Sequence, residues 1–127
     1  MASFNKFNAF VADVANKVHN LGSDTLKIML TNTAPAAANA IKSDITEIAA
    51  GSGYAAGGTA VTITASSQSS GTYKLVGSNV TFTASGGSIA TFRYAVIYNS
   101  TPASGNLIGW WDYGTTVSVT NGILQLA

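Results

Sequence analysis

Between Ile48 and the C-terminus only Lys74, Arg93 and Asp112 carry a charge. Ser, Thr, Asn and Gly do the polar work over that stretch, interleaved with β-branched and aromatic residues. The pattern is strand after strand. Val61–Thr64 alternates, Ser66–Gly71 is a turn cluster, and Thr72–Val76 and Asn79–Ala84 flank Gly77-Ser78. Ala90–Asn99 is the densest in aromatic and β-branched residues, and Ser100–Asn106 links it to Leu107–Tyr113. Asn121-Gly122 suits a type I′ turn, which predicts Val119 opposite Leu124 and Val117 opposite Leu126.

The N-terminal part reads differently. Phe4, Phe7, Phe10, Val11, Val14, Ala15, Val18 and Leu21 recur at spacings of three and four. This predicts one amphipathic helix over about residues 3–20, with Ser3 as N-cap and Gly22 past its end. Its Phe stripe suits a helix clamped over a sheet or a barrel end, or docking on another subunit. Leu26, Ile28 and Leu30 place a strand at Thr25–Thr31, with Lys27 and Met29 on the opposite face. Asn32–Ala40, containing Pro35, reads as a long loop or an arm reaching a neighbour. Tyr54 lies in a run with Gly51, Gly53, Gly57 and Gly58 that predicts a flexible turn.

The expected architecture is therefore mainly β. A β-sandwich or jelly-roll-like barrel of about seven to nine short strands would carry one N-terminal helix. One domain, residues 1–127, would comprise that helix and a β-domain over about 25–127.

The charge shortage also limits chemistry. With one histidine and no cysteine, an ordinary zinc site is disfavoured. Asp13, Asp24, Asp44, Glu47 and Asp112 form no calcium-loop spacing, and the glycines form no phosphate loop. His19, near the expected helix end, suits a capping or surface role. No catalytic residue, metal or cofactor is assigned, and the chain reads as non-enzymatic. A net charge of +1 with scattered Lys and Arg argues against nucleic acid as partner. No apolar run reaches membrane-spanning length. The polar start, Met1–Asn8, has no signal-peptide core and predicts synthesis in a cytoplasm.

Trp110 and Trp111 are adjacent and must face opposite sides of a strand. One of them is expected in the core and the other exposed or in an interface. Arg93 and Asp112 lie in neighbouring strands and form a candidate structural pair. The candidate protein-interface residues are Phe4, Phe7, Phe10, Pro35, Tyr54, Trp110 and Trp111. A nearly uncharged surface opposes docking little, because few charges need be desolvated.

Several segments resemble small virion proteins of tailed bacteriophages. They are Phe4-Asn5-Lys6-Phe7, Val18-His19-Asn20-Leu21-Gly22, Leu26 to Pro35, Thr46-Glu47-Ile48-Ala49, Tyr94 to Asn99 and Leu107 to Gly114. The resemblance spans nearly the whole chain and its motifs are structural, so no catalytic residue comes with it. It implies a capsid decoration, or cement, protein. Such a protein binds the major capsid protein on the outer surface of the virion, at junctions between capsomers. It is made in the host bacterial cytoplasm. A homo-oligomer is implied, and a trimer suits the three-fold sites of icosahedral shells. The alternative is a receptor- or glycan-binding module of a head or tail fibre, using an exposed Trp and the Gly51–Gly58 loop. A small hydrolase ranks below both.

Overall fold

The computed structural model describes residues 3–120 and 122–126. Its elements in chain order are β1 (Ser3–Lys6), α1 (Asn8–Ala15), β2 (Leu26–Thr31), β3 (Thr59–Ala60), β4 (Ile63–Ser69), β5 (Thr72–Gly77), β6 (Val80–Thr83), β7 (Ser88–Asn99), β8 (Leu107–Thr120) and β9 (Ile123–Leu126). A single 3-10 turn lies at Lys42–Asp44. The fold is mainly β and β-sandwich-like, with nine strands in antiparallel sheets and one α-helix among the described residues.

The expected helix over 3–20 is corrected at both ends. Residues 3–6 form a strand against β8, with Phe4 opposite Trp111 and Asn5 opposite Trp110. The open edge of β8 offers hydrogen-bond partners to the backbone there, and the Phe4 ring meets Trp111 at 5.1 Å. Phe7 prolongs the contact, its N–H donating to the Ile108 carbonyl at 3.1 Å. At the other end Lys17 adopts a left-handed conformation, φ 64°. The Val18 N–H reaches the Asp13 carbonyl at 2.9 Å and the Lys17 N–H that of Val14 at 3.4 Å. This is a Schellman closure with Lys where Gly is usual, and it ends the helix well before Gly22.

Five strands form one sheet in the order β1-β8-β7-β2-β3, and β6 pairs with β9. The centre of the five-stranded sheet is buried on both faces. On one face Ile28, Leu30, Ile89, Phe92 and Ala95 pack with Val80, Phe82 and Ala84 of the β6 segment and with Tyr54. On the other, Met29, Val96, Tyr98 and Leu107 pack with Phe7 and Ile45. Met29, which a one-sided sheet would leave in water, is fully buried. The two cores also explain the adjacent tryptophans. Trp110 packs on the Phe7 core and Trp111 on the Phe82 core, and both are half-buried.

Two turn readings change. Ser66–Gln68 continues β4, and the chain reverses at Ser70 (φ 51°) and Gly71 (φ 82°). Two consecutive positive φ values match the twist of a two-residue hairpin. For the last hairpin, Asn121 lies outside the described residues. The described ladders give Ile123–Leu126 to β6, Val80 facing Leu126 and Phe82 facing Leu124. Val119 and Val117 face Ile89 and Phe92 of β7. Burying Phe82 and Val80 over the sheet decides the partner of β9.

Candidate functional site

The acids show first what the surface can do, because all five serve as acceptors inside the fold. Asp13 accepts from Asn106 Nδ2 at 3.2 Å. Asp24 accepts from the Asn20 N–H at 2.8 Å and from Asn99 Nδ2 at 2.6 Å. Asp44 takes the N–H groups of Ala40 and Ile41 at 2.9 and 3.2 Å. Glu47 takes the Tyr54 hydroxyl and the Gly57 N–H. Asp112 takes Arg93 and the Gly114 N–H. These donors hold three carboxyls below the usual range: Asp24 chiefly through the Asn20 N–H, Asp44 through that of Ala40, and Asp112 through Arg93. Carboxylates so held are poor general bases. Among the described residues no three His, Cys, Asp or Glu converge as metal ligands.

Arg93 and Asp112 meet as the strand reading required. Nε donates to Oδ1 at 2.8 Å and an Nη to Oδ2 at 3.2 Å, a bidentate fork. The pair sits at a bulge. Tyr94 faces Asp112 and Phe92 faces Val117, so β8 carries extra residues around Gly114 (φ 80°). With side chains 38% and 28% exposed, the fork sets the bulge more than it adds stability.

The Gly51–Gly58 run is a clasp, contrary to the expected flexible turn. Tyr54 is 2% exposed and its hydroxyl accepts the Leu30 N–H at 3.1 Å while donating to Glu47. Burial, then the Glu47 bond, holds its proton far above the usual phenol range. Tyr98 donates to the Gly57 carbonyl at 2.6 Å. Gly58 lies so close to β2 that a Cβ there would be 1.8 Å from the Ile28 carbonyl oxygen. Only glycine allows that approach.

Beside the clasp a cleft of about 500 Å³ opens between the 3-10 turn and the β7–β8 link. Met29, Ile41 and Ile45 wall it, and Lys42, Glu47 and Ser104 give it polar groups. The Lys42 ammonium lies 6.0 Å from the Tyr98 ring centre. Glu47 already takes two donors from the clasp, so the cleft is a polar recess with no nucleophile–base pair among the described residues.

The interface candidates separate on burial. Phe7 and Tyr54, at 0% and 2% exposure, are core and leave the interface set. Phe10, Pro35, Trp110 and Trp111 are half-buried. Phe4 is 53% exposed. Two members of the predicted helical stripe that were not among the interface candidates are also on the surface: Val11 at 56% and Val14 at 45%. No residue of α1 is buried, so the helix turns these valines to solvent. The β4–β5 hairpin is a second exposed element, with Tyr73 at 48% and Lys74 its only charge. It forms a separate two-stranded sheet, an arrangement marginal by itself in water.

No family model, curated protein sequence or solved structure matches this chain.

Proposed function

We propose that this chain is a non-enzymatic structural protein of a tailed-bacteriophage virion. It binds the outer surface of the assembled shell as a cement protein, acting as a homo-oligomer. The observation that carries the reading is the exposure of apolar residues along the N-terminal segment, where Phe4, Val11 and Val14 are each about half exposed or more. Exposed apolar side chains gathered on one short segment suit protein contact. The β4–β5 hairpin supports the same reading, since its uncharged Ser/Thr edges desolvate at small cost. Internal use of every carboxylate supports a structural rather than a catalytic role. Docking of many copies, each by several contacts, would hold capsomer joints closed through avidity.

The glycan-binding alternative loses its main support. It asked for an exposed Trp, whereas both indoles are half-buried, with Phe4 tilted against one and Phe7 against the other at 5.1 and 4.6 Å.

Cryo-electron microscopy of the virion tests the assignment. Density for this chain on the outer head lattice is the expected result, and density confined to the tail tip would overturn it. Val11→Asp with Val14→Asp should abolish shell binding while the melting temperature holds within a few degrees. Shell binding by that variant at the wild-type level would remove the N-terminal segment from the interface.

A further inference from the structure

Helix α1 is a strap held before its start and beyond its end, with Asp13 of the helix itself taking Asn106 Nδ2 at 3.2 Å. None of its own residues is buried. Phe7, fully buried, pins its start, and His19, 8% exposed with a side chain at 0%, lies beyond its end. His19 is the only histidine in the chain.

Hydrogen bonding determines where the imidazole carries its proton. Asn99 Oδ1 accepts the Thr101 N–H at 3.0 Å, and Asn99 Nδ2 donates to Asp24 at 2.6 Å. These two partners orient the amide, so the group 3.0 Å from His19 Nδ1 is an NH2 donor. Nδ1 is therefore an acceptor and the proton of the neutral ring sits on Nε2. Nε2 is buried without a hydrogen-bond partner among the described residues. The nearest anion, Asp13 Oδ2, is 3.9 Å away and accepts instead from Asn106. A second proton has to enter at Nδ1, where it would confront the Asn99 N–H. The surroundings give little in return. Asp13 from α1 and Asp24 from the turn before β2 are the charged groups facing the ring. β7 presents the neutral Asn99, and the Phe10 ring lies at 5.4 Å.

We propose that His19 is a pH-sensitive latch: neutral, it fastens the α1 strap to the end of β7, and on protonation it leaves its site and frees that end of the strap. Burial pushes the imidazole below its ordinary 6.5 and outweighs the opposing pull of Asp13 and Asp24. The unfastened state then binds more protons than the fastened one. Fastening is complete above 6.5 and is lost as pH falls through the lowered value of the folded state. Between those two points the opening equilibrium rises about tenfold per pH unit, and below them it levels off. Phe7 stays anchored to β8, so the opening is local.

Nitrogen-15 NMR of the imidazole and amide exchange on the whole chain test this. The expected results are the Nε2–H tautomer at pH 7.5 and a titration midpoint below 6.5. Protection factors over residues 10–20 should fall about tenfold per unit through that window. Amides of β2, β7 and β8 should stay protected, and in His19→Gln the pH dependence of residues 10–20 should vanish. An Nδ1–H tautomer, or a midpoint at or above 6.5, would overturn the latch, and both readouts come from the wild-type chain. Opening that spreads to the sheet, or that persists unchanged in His19→Gln, would overturn it equally.

Discussion

Phe7→Ala tests most directly how the N-terminal segment is held. The Phe7 ring is fully buried, 4.6 Å from Trp110 and packed in the core that contains Met29, Val96 and Leu107. An aromatic side chain buries about 150–250 Å². At ~25 cal/mol per Å² that is worth about 4–6 kcal/mol. Alanine keeps one of the carbons, and partial collapse of the neighbours offsets some of the rest, which leaves a loss of about 3–5 kcal/mol. Domains of this kind have only about 5–15 kcal/mol in total. The melting temperature should drop by about 12–20 °C, at about 4 °C per kcal/mol for a chain of this length. Phe4→Ala is the control. Its ring also lies against a tryptophan, at 5.1 Å, but is 53% exposed. About half the burial remains to be lost, and the expected cost is about 1.5–2.5 kcal/mol. Urea unfolding followed by Trp fluorescence measures both, with the slope checked for constancy. A Phe7→Ala loss no larger than that of Phe4→Ala would refute the assignment of Phe7 as the pin. If both cost equally, the segment is not fastened by burial at residue 7.

Two further substitutions probe the clasp. Gly58→Ala should cost clearly more than Gly71→Ala in thermal melts. Both residues have φ near +80°, but a Cβ at Gly58 strikes the Ile28 carbonyl while one at Gly71 meets nothing within 4 Å. Gly71→Ala should therefore show only the left-handed strain of about 1–2 kcal/mol, and equal losses would refute the close-approach argument. Tyr54→Phe should cost about 1–3 kcal/mol by denaturant titration, because the buried Leu30 N–H loses its acceptor and Glu47 loses a donor. A loss near zero would show that the hydroxyl contributes no net stability.

Much of the sheet was legible in the sequence. Side-chain alternation placed β2, aromatic and β-branched density placed β7, and the turn residues around them placed β5 and β6, each within a few residues, because these signals are local. The Arg93–Asp112 pair was legible because two isolated charges in neighbouring strands have few other partners. The Phe spacing misled at the start of the chain. Residues 4 and 7 fit a helical stripe, but β8 had a free edge, and only the assembled sheet presents it. The helix stop at Lys17 was hidden because its closure is made by backbone bonds, with no glycine to mark it. The His19 site was hidden too, since its partners Asn99, Asp24 and Asp13 converge only when β7 and the strap meet.

Composition and local periodicity are enough to make this chain β-rich, nearly uncharged past Ile48 and poor in groups for acid–base or metal chemistry. The remaining features come from long-range packing. It buried the centre of the main sheet on both faces, so Trp110 and Trp111 each found a core. It gave β9 to β6, and it sent Val11 and Val14 outward from the strap. Which hydrophobic face finds which partner depends on contacts between residues far apart in the chain, and local pattern carries no record of those distances.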